Sequence, residues 1–322
     1  MKIAITGGNG FLGRHFIQVA LQKGFHVTAL QGPGASIRNS SHFLKIVEGS
    51  LGNRNGEARN VLEGADVYIN MAALGVQSRD RSWSKMIDVN CQQPLEWLEM
   101  AKEIGVQHAI ALGTALEYAG TGNLPHNTPE ELPAPSHKLS DEESSLECTD
   151  AYGATKAAGG ILLRSYSRTI DLPLTYLRLA SLFGPNDDAR KFLPSAIAAA
   201  RHEREFPMSQ GEQVREWLHV TDAVNAILLA ATDESPCEGI YNVGTGQGIT
   251  LVEAAQNVFA SFGTPRELIQ IGKYKYRKNE SHVLVMDCQK FSQRYAWRPT
   301  IALQDWLIEL AQNHLVEKTN AN

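Results

Sequence analysis

Apolar positions in the first half of the chain fall into two rhythms. Short unbroken runs at Lys2–Thr6 (KIAIT), His26–Leu30 (HVTAL), Lys45–Val47 (KIV), Asp66–Met71 (DVYINM) and His108–Leu112 have the length and content of buried strands. Longer stretches at Leu12–Gly24 and roughly Gln93–Ile104 carry helical spacing, and the first ends on a glycine. Strands alternating with helices at such short intervals predict βαβ units. The expected architecture is therefore α/β, a doubly wound and mostly parallel sheet of Rossmann type. A helix at Tyr152–Ser167 and a strand at Leu174–Leu179 continue the pattern.

From Gly184-Pro185 onward the rhythm breaks. Helices are predicted near Pro194–Arg201, Ala223–Ala231, Leu251–Ser261 and Leu303–His314, with a turn at Gln210–Glu212. This reading puts a Rossmann-like domain over residues 1–182, with returning segments near 215–246, and a smaller α+β substrate lobe over residues 183–322. Pro125–Asp150, with four prolines and seven acids against one lysine, reads as a long surface loop.

Composition narrows the function classes. The 322 residues are 43% hydrophobic and 20% charged, which excludes disordered, collagenous and coiled-coil chains. The net charge is −5 and the longest basic block is Lys273-Tyr274-Lys275-Tyr276-Arg277-Lys278, so no nucleic-acid partner is expected. Cys91, Cys148, Cys237 and Cys288 form no CxxC pair and the ten histidines no HExxH, so no metal site is expected either. Met1 leads straight into a strand-like run and no apolar stretch approaches the ~20 residues of a membrane span. A cytoplasmic location with no membrane partner is the expectation.

Between the first strand and the first helix stands Thr6-Gly7-Gly8-Asn9-Gly10-Phe11-Leu12-Gly13. It fits GxGxxG on Gly8, Gly10 and Gly13, and equally GxxGxxG on Gly7, Gly10 and Gly13. A sharp turn, a backbone close to a pyrophosphate and a helix packed tightly on its sheet each exclude a Cβ. The helix N-terminus then offers free N–H groups to phosphate. Gln31 falls where NAD-binding sheets carry Asp or Glu, and no carboxylate follows it. With Arg14 and Arg38 close in sequence, that favours NADP over NAD, although an amide can also bond a ribose 2′-OH and Arg14 reads equally well as a solvated first-turn residue.

Tyr152-Gly153-Ala154-Thr155-Lys156 puts a phenol and an ammonium on one helical face. A phenol near pKa 10 transfers protons poorly at neutral pH, and a fixed cation would lower that value. The pattern is weak alone. It gains weight from the glycine run before it, from Gly113-Thr114-Ala115-Leu116-Glu117-Tyr118 at the end of a strand, and from Leu177-Arg178…Gly184-Pro185 after it.

On these residues the chain resembles, nearly end to end, the extended short-chain dehydrogenase/reductase family, in its nucleotide-sugar epimerase, dehydratase and ketoreductase branch. The resemblance implies that Thr114 is the hydrogen-bonding Ser/Thr, Tyr152 the general acid/base, and Lys156 the lysine that tunes Tyr152 and holds the nicotinamide ribose. It carries Gly7, Gly10, Phe11, Leu12, Gly13, Arg14, Gln31, Arg38, Ala72, Ala73 and Asn90 over as cofactor contacts. Ser50 replaces the family's adenine-side aspartate, with Leu51 beside it, and Ser181 replaces its usual substrate asparagine. Arg215 within Arg215-Glu216-Trp217-Leu218-His219-Val220-Thr221-Asp222, and Arg277 and Glu280 as an RxxE pair, match residues that branch uses on the nucleotide phosphates and ribose. The resemblance also implies a C2 homodimer through a four-helix bundle, with Leu95, Leu98, Met100, Ile161, Leu162 and Leu163 as the apolar groups.

Dehydratases of this branch need a carboxylate one or two places after the catalytic Ser/Thr. Those places are Ala115 and Leu116, and Glu117 in a strand would face the other way. The expected reaction is NADP(H)-dependent reduction of a nucleotide-linked 4-keto-6-deoxyhexose. The alternative is an NAD-dependent nucleotide-sugar 4-epimerase. A different class, an NADPH-sensing binding protein, would need neither the Tyr–Lys pair nor the arginines.

Overall fold

The computed structural model describes residues 1–37, 41–52, 56–76, 82–118, 121–123, 139–148, 150–277 and 280–320, of which 121–123 and 317–320 are described by backbone alone. Arg38 and residues 125–138 of the acidic stretch lie outside the described residues.

The chain runs β1 (Lys2–Thr6), α1 (Phe11–Gln22), β2 (His26–Gln31), β3 (Leu44–Glu48), α2 (Gly56–Leu62), β4 (Val67–Asn70), α3 (Trp83–Ile87), a π turn (Asp88–Gln92), α4 (Gln93–Ile104) and β5 (His108–Thr114). It continues through a 3₁₀ turn (Ala115–Glu117), β6 (Thr121–Asn123), α5 (Ala151–Thr169), β7 (Leu174–Leu179), β8 (Ser181–Phe183), α6 (Phe192–Arg201), β9 (Phe206–Pro207) and β10 (Val214–His219). The last elements are α7 (Val220–Ala231), β11 (Gly239–Val243), β12 (Gly248–Thr250), α8 (Leu251–Ser261), β13 (Ile269–Gln270), β14 (Ser281–Leu284), α9 (Gln289–Tyr295) and α10 (Leu303–Asn320). A second 3₁₀ turn (Arg266–Leu268) precedes β13.

Seven parallel strands form the main sheet in the order β11-β7-β5-β4-β1-β2-β3. The chain winds outward from β1 through β2 and β3, then returns to the other side of β1 with β4. Ligands of such sheets bind beyond the strand C-termini at this switch point. One face is sealed by α1 and α7, where Phe16, Ile17, Ala226 and Ile227 are buried. On the other lie α2, α4 and α5, with Trp97 stacked on Tyr68 at 5.7 Å between ring centres. A smaller sheet, β12-β10-β14-β6 with β8 beside β10, joins α6, α8 and α10, whose apolar faces meet around Phe206 and Phe259.

Local chemistry explains the element ends. Gly10 holds an extended backbone before α1, and Gly105 adopts φ 95° to end α4. Asp150 caps α5 by accepting the Gly153 N–H at 2.7 Å. The short pieces α2, α3, α9 and the small-sheet strands escape sequence reading because their few apolar positions define no period. Leu98, Met100 and Leu163, expected at a dimer interface, are buried in the core, and Leu95 packs partly against it. Ile161 and Leu162 do stay exposed. Among the described residues, no helix is long and apolar enough to cross a membrane.

Candidate active site

At the C-terminal ends of β1, β4 and β5 opens a cleft of about 650 Å³. Its floor is the glycine turn. Gly7 takes φ +80°, and a Cβ there would fall 2.5 Å from the Ala72 nitrogen. A Cβ on Gly13 would fall 2.2 Å from the Gly7 oxygen, and Gly10 N–H donates to that same oxygen at 3.0 Å. Gly8 instead faces Ile17, Ala29 and Ile37 in the core. Of the two glycine readings, GxxGxxG is the one that shapes the cleft, which Gly7, Gly10, Phe11, Leu12 and Gly13 all line. Asn9 accepts from Gly32 N–H at 3.3 Å, while its Nδ2 is buried with no hydrogen-bond partner among the described residues. A cradle closed to any side chain fits a dinucleotide phosphate at the start of α1.

The adenosine end departs from the sequence reading. Gln31 pairs in register with Glu48 of β3, and its Nε2 donates to the Glu48 carboxylate at 3.2 Å. Its Oε1 accepts from Ile37 N–H at 2.8 Å, so the amide is committed on both sides. A carboxylate therefore does stand at the end of β2, supplied by the neighbouring strand. Nothing in the sequence around Gln31 signals it; only the parallel β2–β3 pairing brings it there. Arg14 lines the cleft and reaches the Asn186 carbonyl at 3.5 Å. Ser50 is exposed, Leu51 gives its carbonyl to Trp97 Nε1 at 2.8 Å, and neither lines the cleft.

Just after β4, Met71 and Ala73 line the cleft, and Ala72 presses its backbone on Gly7. Asn90 was expected to touch cofactor, but its side chain is used internally. Its Nδ2 donates to Leu74 O and to Thr155 Oγ1, both at 2.9 Å, and its Oδ1 accepts from Leu74 N–H at 2.9 Å. It fastens the loop after β4 to α5 from within the π turn.

Thr114, Tyr152 and Lys156 line the same cleft, joined by Leu116 and Ser181. Glycine lets α5 approach the turn after β5, since a Cβ on Gly153 would lie 2.1 Å from Leu116 O, and a Cβ on Gly75 would fall 2.3 Å from Met86 Sδ. Electrostatics differs from the simple Tyr–Lys picture. Burial pushes the Tyr152 phenol above its ordinary value, and Glu117 and Asp150 add to the rise. Burial also pulls the Lys156 ammonium below its ordinary value, with Glu117 opposing. Tyr152 thus holds its proton at neutral pH, as a proton donor must.

Glu117 was expected to lie in a strand; the backbone instead tightens into the 3₁₀ turn and buries it completely. Its carboxylate accepts from Arg178 Nε at 2.8 Å, and from Tyr176 OH and Thr114 N–H at 2.9 Å each.

In the lobe, Arg215, Arg277 and Glu280 are brought together but stand outside the cleft lining. The Arg215 guanidinium donates to the carbonyls of Val214, Ser281 and His282 at 2.8, 3.0 and 3.2 Å and meets Glu280 at 3.5 Å. Arg277 N–H donates to Glu280 at 3.2 Å. Trp217, two places along β10 and on the same strand face as Arg215, does line the cleft. So does Lys191, paired to Asp187 at 2.8 Å, which no sequence motif had marked.

A family model described as the NAD dependent epimerase/dehydratase family matches residues 3–244. A dTDP-glucose 4,6-dehydratase from Streptomyces niveus is 25% identical over 97% of this chain and 92% of its own, and a dTDP-4-dehydro-6-deoxy-D-allose reductase from Streptomyces bikiniensis is 24% identical over 83% and 82%. The structure of DesIV, a dTDP-glucose 4,6-dehydratase from Streptomyces venezuelae solved with NAD, superposes with a TM-score of 0.85 at 24% identity, covering 99% of this chain and 98% of that one. A UDP-glucose 4-epimerase from Thermotoga maritima, solved with UDP-glucose, gives 0.83 at 22% identity over 99% and 100%.

Proposed function

The chain belongs to the NAD dependent epimerase/dehydratase family, and from that premise we propose that it reduces a nucleotide-linked 4-keto-6-deoxyhexose. The observation that carries this reading is the wall around Tyr152. Thr114, Tyr152 and Lys156 share one cleft, while Ala115 and Leu116 follow Thr114 with no group able to move a proton. Dehydration is left without its acid and base. Hydride transfer to a ketone needs only the groups present.

A nicotinamide dinucleotide, when bound, supplies the hydride to the sugar carbonyl carbon. Gly7, Gly10 and Gly13 with the start of α1 would hold its pyrophosphate, and Lys156 would hold the ribose beside the nicotinamide. The Tyr152 phenol gives its proton to the carbonyl oxygen as negative charge develops there. Thr114 Oγ1 donates a hydrogen bond to the same oxygen, and the Lys156 charge stabilises the phenolate left behind. The reductase of Streptomyces bikiniensis acts on a sugar of this type, which supports the choice.

The cofactor is NAD rather than NADP. A Glu48 carboxylate beside Gln31 would accept from a ribose 2′-OH and repel a 2′-phosphate. The same observation favours the second reading, a 4-epimerase that keeps NAD bound and returns the hydride it takes.

One assay separates these. The wild type is mixed with UDP-, dTDP-, GDP- and CDP-linked 4-keto and 4-hydroxy sugars, with NADH and NADPH in parallel. Equimolar loss of NADH and ketone is the expected result. Interconversion of 4-hydroxy sugars with no net NADH consumption would establish the epimerase, and cofactor binding with no turnover the sensor. Tyr152→Phe keeps the ring and removes the proton, so turnover falls ~10²–10⁴-fold with cofactor affinity nearly unchanged.

A further inference from the structure

Behind the cleft wall lies a buried ionic centre that the mechanism above does not use. Glu117 is fully buried and Arg178 is 3% exposed, and they meet at 2.8 Å. A buried ion pair is seldom a net source of stability, so its retention asks for another reason. Its hydrogen bonds point to one. Glu117 Oε1 takes the Thr114 N–H at 2.9 Å and the Tyr176 hydroxyl at 2.9 Å. The one proton of that Tyr176 hydroxyl is shared between the carboxylate and the Lys156 carbonyl, which lies 3.0 Å away. One carboxylate thus touches the end of β5 directly and the Lys156 turn of α5 through a single phenol.

Space has been cleared for this bridge. A Cβ on Gly113 would fall 2.3 Å from Glu117 Oε1 and 2.6 Å from the Tyr176 ring. A Cβ on Gly160, one helical turn after Lys156, would fall 2.6 Å from Tyr176 Cζ. From the far side Arg178 Nη1 donates to Tyr118 OH at 2.8 Å, which donates to Asn242 Oδ1 at 2.6 Å. Asn242 in turn bonds the carbonyls of Ser140 and Asp287, both at 3.0 Å. The guanidinium is held, and with it the carboxylate.

We propose that Glu117 is a positioning residue that sets Thr114 and Lys156 relative to Tyr152, with Tyr176 as the arm that reaches α5. The proposal rests on the acid–base reading of Tyr152. Its charge adds an electrostatic effect. Facing Tyr152 are Glu117 from the 3₁₀ turn and Asp150 from the α5 cap, and facing Lys156 are Glu117 and Cys91 of the π turn. Arg178 and Tyr176 of β7 and Cys148, whose Sγ bonds Glu117 O at 3.2 Å, complete the surroundings. Glu117 and Asp150 both favour the protonated phenol. Neutralising Glu117 removes one of those two contributions, and the phenol loses its proton at lower pH.

Two variants test the bridge. Tyr176→Phe keeps the ring between the two glycines and deletes only the shared hydroxyl. Glu117→Gln keeps the acceptor and deletes the charge. In backbone amide exchange, Thr114 and the Tyr152–Lys156 turn should exchange about 10-fold faster in Glu117→Gln, and the α5 turn alone in Tyr176→Phe, with α1 unchanged. With whichever nucleotide sugar the wild type turns over, kcat should fall ~10–100-fold in both, with KM within about 3-fold. In Glu117→Gln the high-pH loss of kcat should also begin at lower pH than in the wild type. If Tyr176→Phe exchanges and turns over like wild type, or loses only thermal stability, the bridge is core packing and the proposal falls. If the wild type turns over none of the sugars, the reductase reading falls while amide exchange still decides the bridge. If Glu117→Gln does not fold, Tyr176→Phe carries both readouts.

Discussion

At Gly13 an added methyl group would meet the Gly7 carbonyl, a backbone atom that cannot swing aside as a side chain could. At Gly8 the same methyl would meet the Cδ1 tips of Ile37 and Ile17 at 3.2 and 3.3 Å, which can give by a few tenths of an ångström, beside the Ala29 Cβ at 3.3 Å. Two glycines five residues apart in one turn therefore answer differently to one substitution. Gly13→Ala should weaken NADH binding at least ~100-fold, because the helix start must move off the strand to relieve the clash. Gly8→Ala should keep affinity within a few-fold and cost at most ~1–3 kcal/mol of stability from tighter packing. Fluorescence titration with NADH beside thermal melts reads both. Equal loss of affinity in the two would mean that the GxGxxG frame, not GxxGxxG, carries the phosphate.

A strand can carry a titration as well as a fold. His108 opens β5, buried, with its Nε2 at 2.9 Å from Thr175 Oγ1. Thr175 donates its own hydroxyl proton to Cys237 O at 2.8 Å, so it accepts from His108, and the ring is the Nε2–H tautomer. Nδ1 has no hydrogen-bond partner among the described residues, and a proton added there would be an unpaired buried charge. Burial accordingly pushes His108 down from 6.5 to about 4, with Asp233 partly opposing. The unfolded chain takes up a proton below pH 6.5 that the folded chain refuses until about pH 4. Stability is thus full above pH 6.5 and falls as the pH drops through that window, by about 3 kcal/mol. Denaturant melts of wild type and His108→Leu between pH 7 and 4 test this. The variant should lose the part of the acid sensitivity that belongs to His108; identical slopes would refute it.

Over the whole molecule, the cofactor side and the lobe are latched at one loop. Arg14 and His15 of α1 bond the carbonyls of Asn186 and Pro185, and Lys191 of the lobe sits 5.3 Å over the Phe11 ring. Phe11, Arg14, Asn186 and Lys191 line the cleft themselves. A second whole-molecule feature is the exposed apolar group of Trp83 and Ile87 on α3 and Ile161 and Leu162 on α5, elements that adjoin through the π turn. We infer a C2 homodimer built on these helices rather than on the buried Leu98, Met100 and Leu163. Light scattering at micromolar concentration should give twice the 35.3 kDa chain mass, and Ile161→Glu with Leu162→Glu should return it to the monomer. A wild-type mass near 35.3 kDa would rule the dimer out.

Short-range chemistry can be read along the chain. Apolar runs of strand length alternating with helical periods determine a doubly wound sheet, since neither pattern buries its apolar positions otherwise. The glycine run needs only a strand before it and a helix after it, and Tyr152 and Lys156 need only one helical turn to share a face. Their neighbours were another matter. Glu48 reaches Gln31 because β2 and β3 pair in one register, which two separate strands do not announce. Glu117 turns inward because the backbone tightens after Thr114 and Arg178, 61 residues on, waits to receive it. Asn90 spends its amide on Leu74 and Thr155, and Arg215 its guanidinium on the carbonyls of its own strand and of the strand beside it. Polar side chains settle on whichever partner the packed chain brings near. Only the tertiary structure decides which partner that is.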